Sequence, residues 1–378
     1  MSTRYFESNT SVSAYDAHVK AELKSNGALS IDDLQASGSN WGRRQLLACQ
    51  VIVSPTTHNV LPVYAKHTQR VEEVQKVKDF LEGPDLALMH HSTHFLISEY
   101  GFSLGEMWAA LADVKQYPRP RVVSSNEGTP EAKRVRRNTV LEGYVNSAGY
   151  QISSSNPEDR SSPSAGSDGS GGPSYTEQQP TQELPAEDSA VLLITRVLRH
   201  LLYYTQPPQS SRIVDFRPER HRIVSNISDL EKQFVGIDDG GLSLKVEGGQ
   251  SFAEPNVAIA LLEAKRRLVV DHGRPKISDE CLAQMTCEAI LARCRHDLAQ
   301  LNNERAIVIN ATSHYVCFLE FHVTDMYVQE MESGELPAEP LKVTATHWFD
   351  LSDVKGRKGV LENIRGLVGM AMDYEGRY

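Results

Sequence analysis

The feature that most constrains the fold is an apolar run that ends in an acid and a lysine. Val257 to Leu262 contains only Val, Ala, Ile and Leu, and Glu263-Ala264-Lys265 follows it directly. A short run of this composition is typical of a strand buried on both faces of a sheet. Because side chains alternate along a strand, Glu263 and Lys265 point to the same face. Charged groups are costly to bury, so this strand end is a candidate functional site.

An acidic pair precedes the predicted strand. Asp238-Asp239-Gly240-Gly241 separates two strand candidates, Phe234 to Ile237 and Leu242 to Val246, and an Asp-Gly between two such runs predicts a hairpin. If an Asp, Glu263 and Lys265 come together, the carboxylates can hold a hard cation. The cation and the ammonium can then stabilise charge that develops on phosphorus. This combination is what a Mg²⁺-dependent phosphodiesterase requires.

The flanking segments predict a mixed central sheet flanked by helices, an α/β (α+β) fold. Ser278 is the expected N-cap of a helix that runs to Arg295, with acids in its favourable first turn. On this helix Gln284 and Glu288 share a face. The other expected elements after residue 187 are a buried helix (Ser189 to Thr205), the central strand (Asn256 to Arg267), strands Ala306 to Asn310 and Tyr315 to Val323, an edge strand (Thr344 to Phe349) and a closing helix (Arg357 to Met372).

The first third of the chain reads differently. Residues 1–40 are polar and predict a flexible arm with one short helix. Residues 41–130 predict a small, mostly helical N-terminal region. Its expected elements are a strand from Leu46 to Val53 closed by Ser54-Pro55, a helix from Gln69 to Leu81, and a helix from Ser103 to Val114 in which Ser103 and Glu106 form a capping box.

Residues 131–187 predict a disordered linker, because Gln151 to Glu187 is dominated by Ser, Gly, Pro, Gln and acids. The linker is the expected boundary of a second domain, residues 188–378. Lys133-Arg134-Val135-Arg136 at its start fits either a nuclear import signal or a solvated charge run.

Composition limits the classes of protein. The first residues contain no apolar core, and no apolar run approaches ~20 residues, so we expect neither a secretory signal nor a membrane helix. The five cysteines are never spaced as C-x-x-C, which favours a reducing intracellular compartment. A net charge of −10 argues against a simple basic nucleic-acid binder. Seven acids stand against one arginine between Gln151 and Asp188, however, so local patches such as Arg217 to Arg222 could still contact a polyanion.

The order of these elements resembles the PD-(D/E)xK nuclease superfamily: helix, Asp-bearing hairpin, strand ending in Glu-x-Lys, helix with Gln, strand. More narrowly, Asp239-Gly240-Gly241, Ala260 to Arg266, Ser278 to Gln284 and Trp348 to Lys358 resemble fungal proteins that are described as carrying a PD-(D/E)xK nuclease-like domain. The resemblance covers roughly Glu187 to the C-terminus. It implies a restriction-endonuclease-like core and Mg²⁺-dependent cleavage of nucleic acid, DNA before RNA, with Mn²⁺ as a possible substitute.

The resemblance also implies a role for each motif residue. Asp239 would bind the metal, with Asp238 as the runner-up because the proline that often precedes this aspartate is missing. Glu263 would be the second metal ligand. Lys265 would position the attacking water and stabilise the charge on phosphorus. Gln284 matches a glutamine that some branches place beside the site.

Arg266 and Arg267 form a second local basic patch, and they are candidates for contact with the substrate. Many branches also use a glutamate from the first core helix, whereas this chain has only Glu187 and Asp188, at the start of that helix. The alternative to a nuclease is therefore a nuclease-like fold without turnover that acts as a nucleic-acid- or protein-binding module.

Overall fold

The N-terminal and C-terminal parts of the chain fold together around one sheet. The computed structural model describes residues 4–67, 74–117, 187–227, 232–248, 251–265, 269–271, 274–294 and 304–373. Met1–Pro120 and Leu184–Tyr378 belong to one compact unit. The structure thus differs from the expected division into an N-terminal region and a separate second domain.

The described residues contain the following helices and strands. The helices are α1 (Tyr5–Ser8), α2 (Val12–Asn26), α3 (Arg43–Ala48), α4 (Gln75–Glu82), α5 (Thr93–Tyr100), α6 (Phe102–Val114), α7 (Glu187–Thr205), α8 (Asp279–Cys294), α9 (Asp325–Glu332) and α10 (Val354–Met372). The strands are β1 (Val51–His58), β2 (Arg212–Arg217), β3 (Arg222–Ile227), β4 (Lys232–Ile237), β5 (Gly241–Gly248), β6 (Ser251–Lys265), β7 (Val269–Asp271), β8 (Arg274–Lys276), β9 (Arg305–Thr312), β10 (Tyr315–His322), β11 (Leu341–Thr346) and β12 (Phe349–Asp350).

The central sheet is mixed and carries helices on both faces, as predicted. Its strand order is β1-β11-β10-β9-β6-β5-β2, with β12 beside β10. The pairs β1/β11 and β6/β9 are parallel, and the other neighbours are antiparallel. Apolar residues of α6, α7 and α10 pack on one face, and those of α3, α8 and α9 pack on the other.

One edge of this sheet collects the carboxyl ends of several strands. β10 is antiparallel to both β9 and β11, so β1, β6, β9 and β11 all run in the same direction. Lys265 at the end of β6 is in register with Thr312 at the end of β9, and His58 at the end of β1 is in register with Thr346. In open α/β sheets, ligands bind outside the carboxyl ends of the strands, so this edge is where a site is expected.

The predicted hairpin around the acidic pair is wrong. β4 pairs with β3 in a separate two-stranded sheet, whereas β5 pairs with β2 and β6 in the central sheet. Asp238, Asp239 and Gly240 therefore carry the chain from one sheet to the other. The apolar alternation on each side favours a strand, but it does not choose that strand's partner.

The predicted strand Leu46 to Val53 is also displaced. Its first residues belong to α3, and the strand that follows, β1, continues through Ser54 and Pro55 to His58. The register with β11 shifts between Val53 and Thr57, the segment that holds the proline. Proline is tolerated at edge strands and bulges because no ladder bond needs its missing N–H.

Residues 4–40 are ordered against the rest of the unit rather than forming a flexible arm. Tyr5 is fully buried, and its hydroxyl donates to the carbonyl of Val51 at 2.8 Å. The backbone N–H of Tyr5 donates to Asp279 Oδ1 at 2.7 Å, at the first residue of α8. Tyr5 is thereby fixed both to β1 and to the first turn of α8.

Two other expectations concern α6 and the linker. The N-cap of α6 is Gly101 and not Ser103, whose Oγ lies 2.9 Å from His200 Nδ1 instead. The predicted linker, including Lys133-Arg134-Val135-Arg136, lies outside the described residues except for Glu187, which opens α7.

Candidate active site

The candidate site is built on the unit β6–α8–β9. Ser278 caps α8 as predicted, since its Oγ accepts the N–H of Cys281 at 3.1 Å. The parallel register places Glu263 beside Asn310, and Asn310 is paired in turn with Cys317 on β10. All three side chains are almost fully buried. Alternation along β6 directs Glu263 to the same face as Leu261, which packs in the core that contains α8.

Asp239 is held directly against the end of β6. Its Oδ2 accepts the backbone N–H of Ala264 at 3.0 Å. Its own N–H donates to the carbonyl of Leu262 at 2.9 Å, and the N–H of Leu262 donates to the carbonyl of Gly240 at 3.0 Å. These bonds bring the Asp239 carboxylate beside the backbone of the Glu263–Lys265 segment.

The second oxygen of Asp239 pairs with an exposed arginine. Oδ1 lies 3.1 Å from Nη2 of Arg220, whose side chain is 53% exposed, whereas the Asp239 side chain is 10% exposed. An arginine exposed to this degree can move to another anion at little cost, because exposed ion pairs contribute only about 0–1 kcal/mol.

Asp238, the alternative candidate for the metal-binding aspartate, is buried and held by an arginine and by backbone N–H groups. It is fully buried, and Nη2 of Arg217 donates to its Oδ2 at 2.6 Å. Its Oδ1 accepts the backbone N–H groups of His221 at 2.9 Å and Gly240 at 3.1 Å, with Nη1 of Arg217 at 3.2 Å. These four donors use its acceptor capacity, so Asp238 fixes the crossing between the two sheets.

The two glycines after the acidic pair are required by geometry. Gly240 has a φ of +130°, where an L side chain is strained. At Gly241, a Cβ atom would lie 2.6 Å from the carbonyl oxygen of Ala260 on the neighbouring strand. The two glycines therefore let the backbone after Asp239 come close to β6, and this contact positions Asp239.

Gln284 lies on α8 and is half-buried. Its Nε2 donates to Oε1 of Glu288 at 2.9 Å, one helical turn further on, and the Glu288 side chain is fully buried. The shared face that the sequence predicts is thus occupied by a hydrogen-bonded pair.

Three predicted residues are only partly described or not described. Lys265 is the last residue of β6, and the structure describes its backbone alone. Arg266 and Arg267 lie outside the described residues. Within the predicted basic patch Arg217 to Arg222, two arginines pair with the acidic pair, so this patch helps to build the site.

Sequence reasoning missed Asn310 as a site residue. The available signal was a single amide at the end of an otherwise apolar strand, Ala306 to Asn310, where a polar group is costly to bury. In the structure its amide contacts the thiol of Cys281, with Nδ2 to Sγ at 3.7 Å. Burial raises the pKa of the Cys317 thiol beside it well above the ordinary value, so that group stays neutral.

The comparisons add no family assignment. Neither the models of known protein families nor the curated proteins give a match to this sequence. Within the part of the chain that the structure describes, no group of three or more His, Cys, Asp and Glu side chains is arranged to hold a metal. Of the helices described, none combines the length and the apolar character needed to cross a membrane.

Proposed function

We propose that this chain is a Mg²⁺-dependent nuclease of the PD-(D/E)xK type that hydrolyses phosphodiester bonds of nucleic acid, DNA in the first place. The hydrogen bond from the Ala264 N–H to Asp239 Oδ2 carries the proposal. It brings a carboxylate to the Glu263–Lys265 segment at the carboxyl end of β6, although the hairpin expected to do this is absent.

The residues present fit a hard cation. Mg²⁺ usually keeps several waters and is held by one or two carboxylates together with substrate phosphates. Asp239 and Glu263 supply two carboxylates, so a cluster of three protein ligands is not required. Bound Mg²⁺, or Mn²⁺ in its place, would supply a charge that polarises the phosphoryl group and lowers the pKa of water.

The remaining steps belong to the chain's own side chains. Lys265 would orient the attacking water and stabilise the negative charge on phosphorus. Arg220 would exchange its contact with Asp239 for a phosphate oxygen of the substrate, a geometry that suits the planar guanidinium. Gln284, held by Glu288, would support the site from α8.

The test is cleavage of plasmid and of circular single-stranded DNA by the full-length protein with Mg²⁺. We expect Glu263→Gln and Lys265→Ala to lower the rate at least 100-fold and EDTA to abolish cleavage. Glu280→Gln neutralises an exposed acid in the first turn of α8 and serves as the matched control, with an unchanged rate. Equal cleavage by wild type and Lys265→Ala would refute the assignment.

A second candidate function is a binding module without turnover. The observation that favours it is a groove of about 540 Å³ between the α5–α6 turn and α7. Three cations line it with one acid, and its exposed aromatic side chains include Phe102 (70% exposed) and Tyr203 (63% exposed). Cations interleaved with aromatic rings are typical of surfaces that bind single-stranded nucleic acid.

The two functions differ in what the loss of Glu263 abolishes. A binding module predicts nucleic-acid affinity that survives Glu263→Ala and falls with Arg199→Ala, a cation on the exposed side of α7. Loss of a cellular phenotype with Glu263→Ala, while folding and binding stay intact, would exclude a module without turnover.

A further inference from the structure

A large cleft opens at the same carboxyl edge of the sheet. It lies beyond Glu263 along the row of residues that are in register across β6, β9 and β10. It encloses about 740 Å³, within the range of small-ligand sites. Cys317, the register partner of Asn310, belongs to its lining, and Thr57, Thr346 and His347 bring the ends of β1 and β11 to it. The cleft and the candidate active site are therefore neighbours across β9 and β10.

We propose that this cleft receives an unpaired nucleobase of the strand that is cut at the candidate active site. The inference deepens the proposed function and rests on it, because it defines the substrate class as single-stranded or locally unpaired nucleic acid.

The side chains of the cleft suit a base better than a phosphate. Trp348 and Phe6 are both half-buried and line the cleft. Aromatic side chains stack on any nucleobase, and each such contact contributes about 1–3 kcal/mol. Lys276 also lines the cleft, but it is paired with Glu7, so its charge is offset.

Polar groups in the cleft can form hydrogen bonds with the edge of a base. Thr57 Oγ1 lies 2.9 Å from Nδ1 of His347, and both residues are exposed. The hydroxyl and the ring each retain capacity for a further hydrogen bond, as contacts with the edge of an unstacked base require.

The distance between the two sites fits a single strand. Glu263 and Cys317 are separated by two strand spacings, about 10 Å, which a nucleotide or two of unstacked chain can span. A base within a duplex would have to be flipped out to enter the cleft, at a cost of a few kcal/mol. The cleft thus favours unpaired substrates.

The walls of the cleft come partly from the N-terminal segment. Phe6 lies on α1 and Thr57 on β1, and both precede the part of the chain that resembles the nuclease superfamily. Substrate choice at this position would therefore be a property of this chain and not of the shared core.

The test uses the full-length Glu263→Gln protein in EDTA, so that binding is measured without cleavage. Affinity is read from the anisotropy of a labelled single-stranded oligonucleotide, a duplex of the same sequence and a labelled mononucleotide. Trp348 is the half-buried tryptophan, whereas Trp41 and Trp108 are 2% and 1% exposed. Quenching of tryptophan fluorescence by the unlabelled oligonucleotide therefore locates the base.

We expect the single strand to quench the fluorescence and to bind at least tenfold more tightly than the duplex. Trp348→Ala should weaken single-strand binding about 5- to 150-fold, the equivalent of 1–3 kcal/mol. Trp348→Phe keeps a stacking ring and should stay within about threefold, which separates stacking from misfolding. Phe95→Ala removes an exposed ring on α5, outside the cleft, and is the matched control.

Each outcome bears on one proposal. Equal binding of duplex and single strand, or no effect of Trp348→Ala, overturns the base site, even where the wild type cleaves DNA. Mononucleotide binding as tight as that of the oligonucleotide also overturns it, in favour of a free-nucleotide site. Quenching and loss of affinity in Trp348→Ala, without any cleavage by wild type, support the base site and reject the nuclease.

Discussion

Replacing Asp238 and Asp239 one at a time should separate folding from chemistry. Asp238 is fully buried and paired with Arg217, whose side chain is 13% exposed. Asp238→Asn leaves that arginine buried without its counter-charge, and loss of one partner of a buried ion pair costs about 3–5 kcal/mol. Asp239→Asn loses a pair whose arginine, Arg220, is exposed, about 0–1 kcal/mol, and weakens one bond from the Ala264 N–H. We expect about 1 kcal/mol in total.

The assay is equilibrium unfolding in urea followed by tryptophan fluorescence, beside cleavage of circular DNA at a temperature where every variant is folded. Asp238→Asn should lower the urea midpoint strongly, and its folded fraction should still cleave. Asp239→Asn should unfold near the wild-type midpoint and cleave at least 100-fold more slowly. An Asp238→Asn protein as stable as the wild type, or an exchange of these phenotypes between the two variants, would refute the roles assigned to the two aspartates.

Three further predictions concern α6, α7 and α10, the helices that pack on one face of the sheet. Burial lowers the pKa of His200 to about 4, so the free energy of unfolding should fall by on the order of 3 kcal/mol as the pH drops from 6.5 to 4. His200→Gln should flatten the pH dependence of unfolding over this window, and an unchanged slope would contradict the prediction. Gly105→Ala places a Cβ atom 2.4 Å from the Ile97 Cα, so thermal unfolding should show a loss of about 1–3 kcal/mol. Arg357 donates to the carbonyls of Leu81, Glu82 and Leu351, so Arg357→Met should destabilise the chain by at least 2 kcal/mol in urea, and a stable variant would refute that role.

Local patterns predicted the elements that carry the site. The apolar run before Glu263 is a central strand, and the capped segment after Ser278 is the helix that packs beside it. Both signals are contained within a few turns of chain: continuous apolar composition for the strand, and an N-cap followed by acids for the helix.

The pairing of strands that are distant in sequence could not be predicted from such local patterns. β5 has an apolar alternation that fits either β4 or β6, and the choice depends on Arg217 and on two glycines that admit the backbone close to β6. The distinction between Asp238 and Asp239 follows from the same contacts. Adjacent acids are equivalent in sequence, and they differ only once one is buried beside an arginine.

The pairing of β1 with β11 has a consequence for how the chain reaches its native state. Val51 and Leu341 are adjacent in the sheet although they come from opposite ends of the chain. During synthesis β1 emerges first and must wait for almost the whole chain before it acquires its partner, and contacts of such long sequence separation slow folding. A fragment that begins at residue 188 would lack β1 and leave the edge of β11 open to association with other chains. It would also lack Tyr5, which bonds to the first residue of α8. We therefore expect residues 188–378 to be less stable alone than as part of the whole chain.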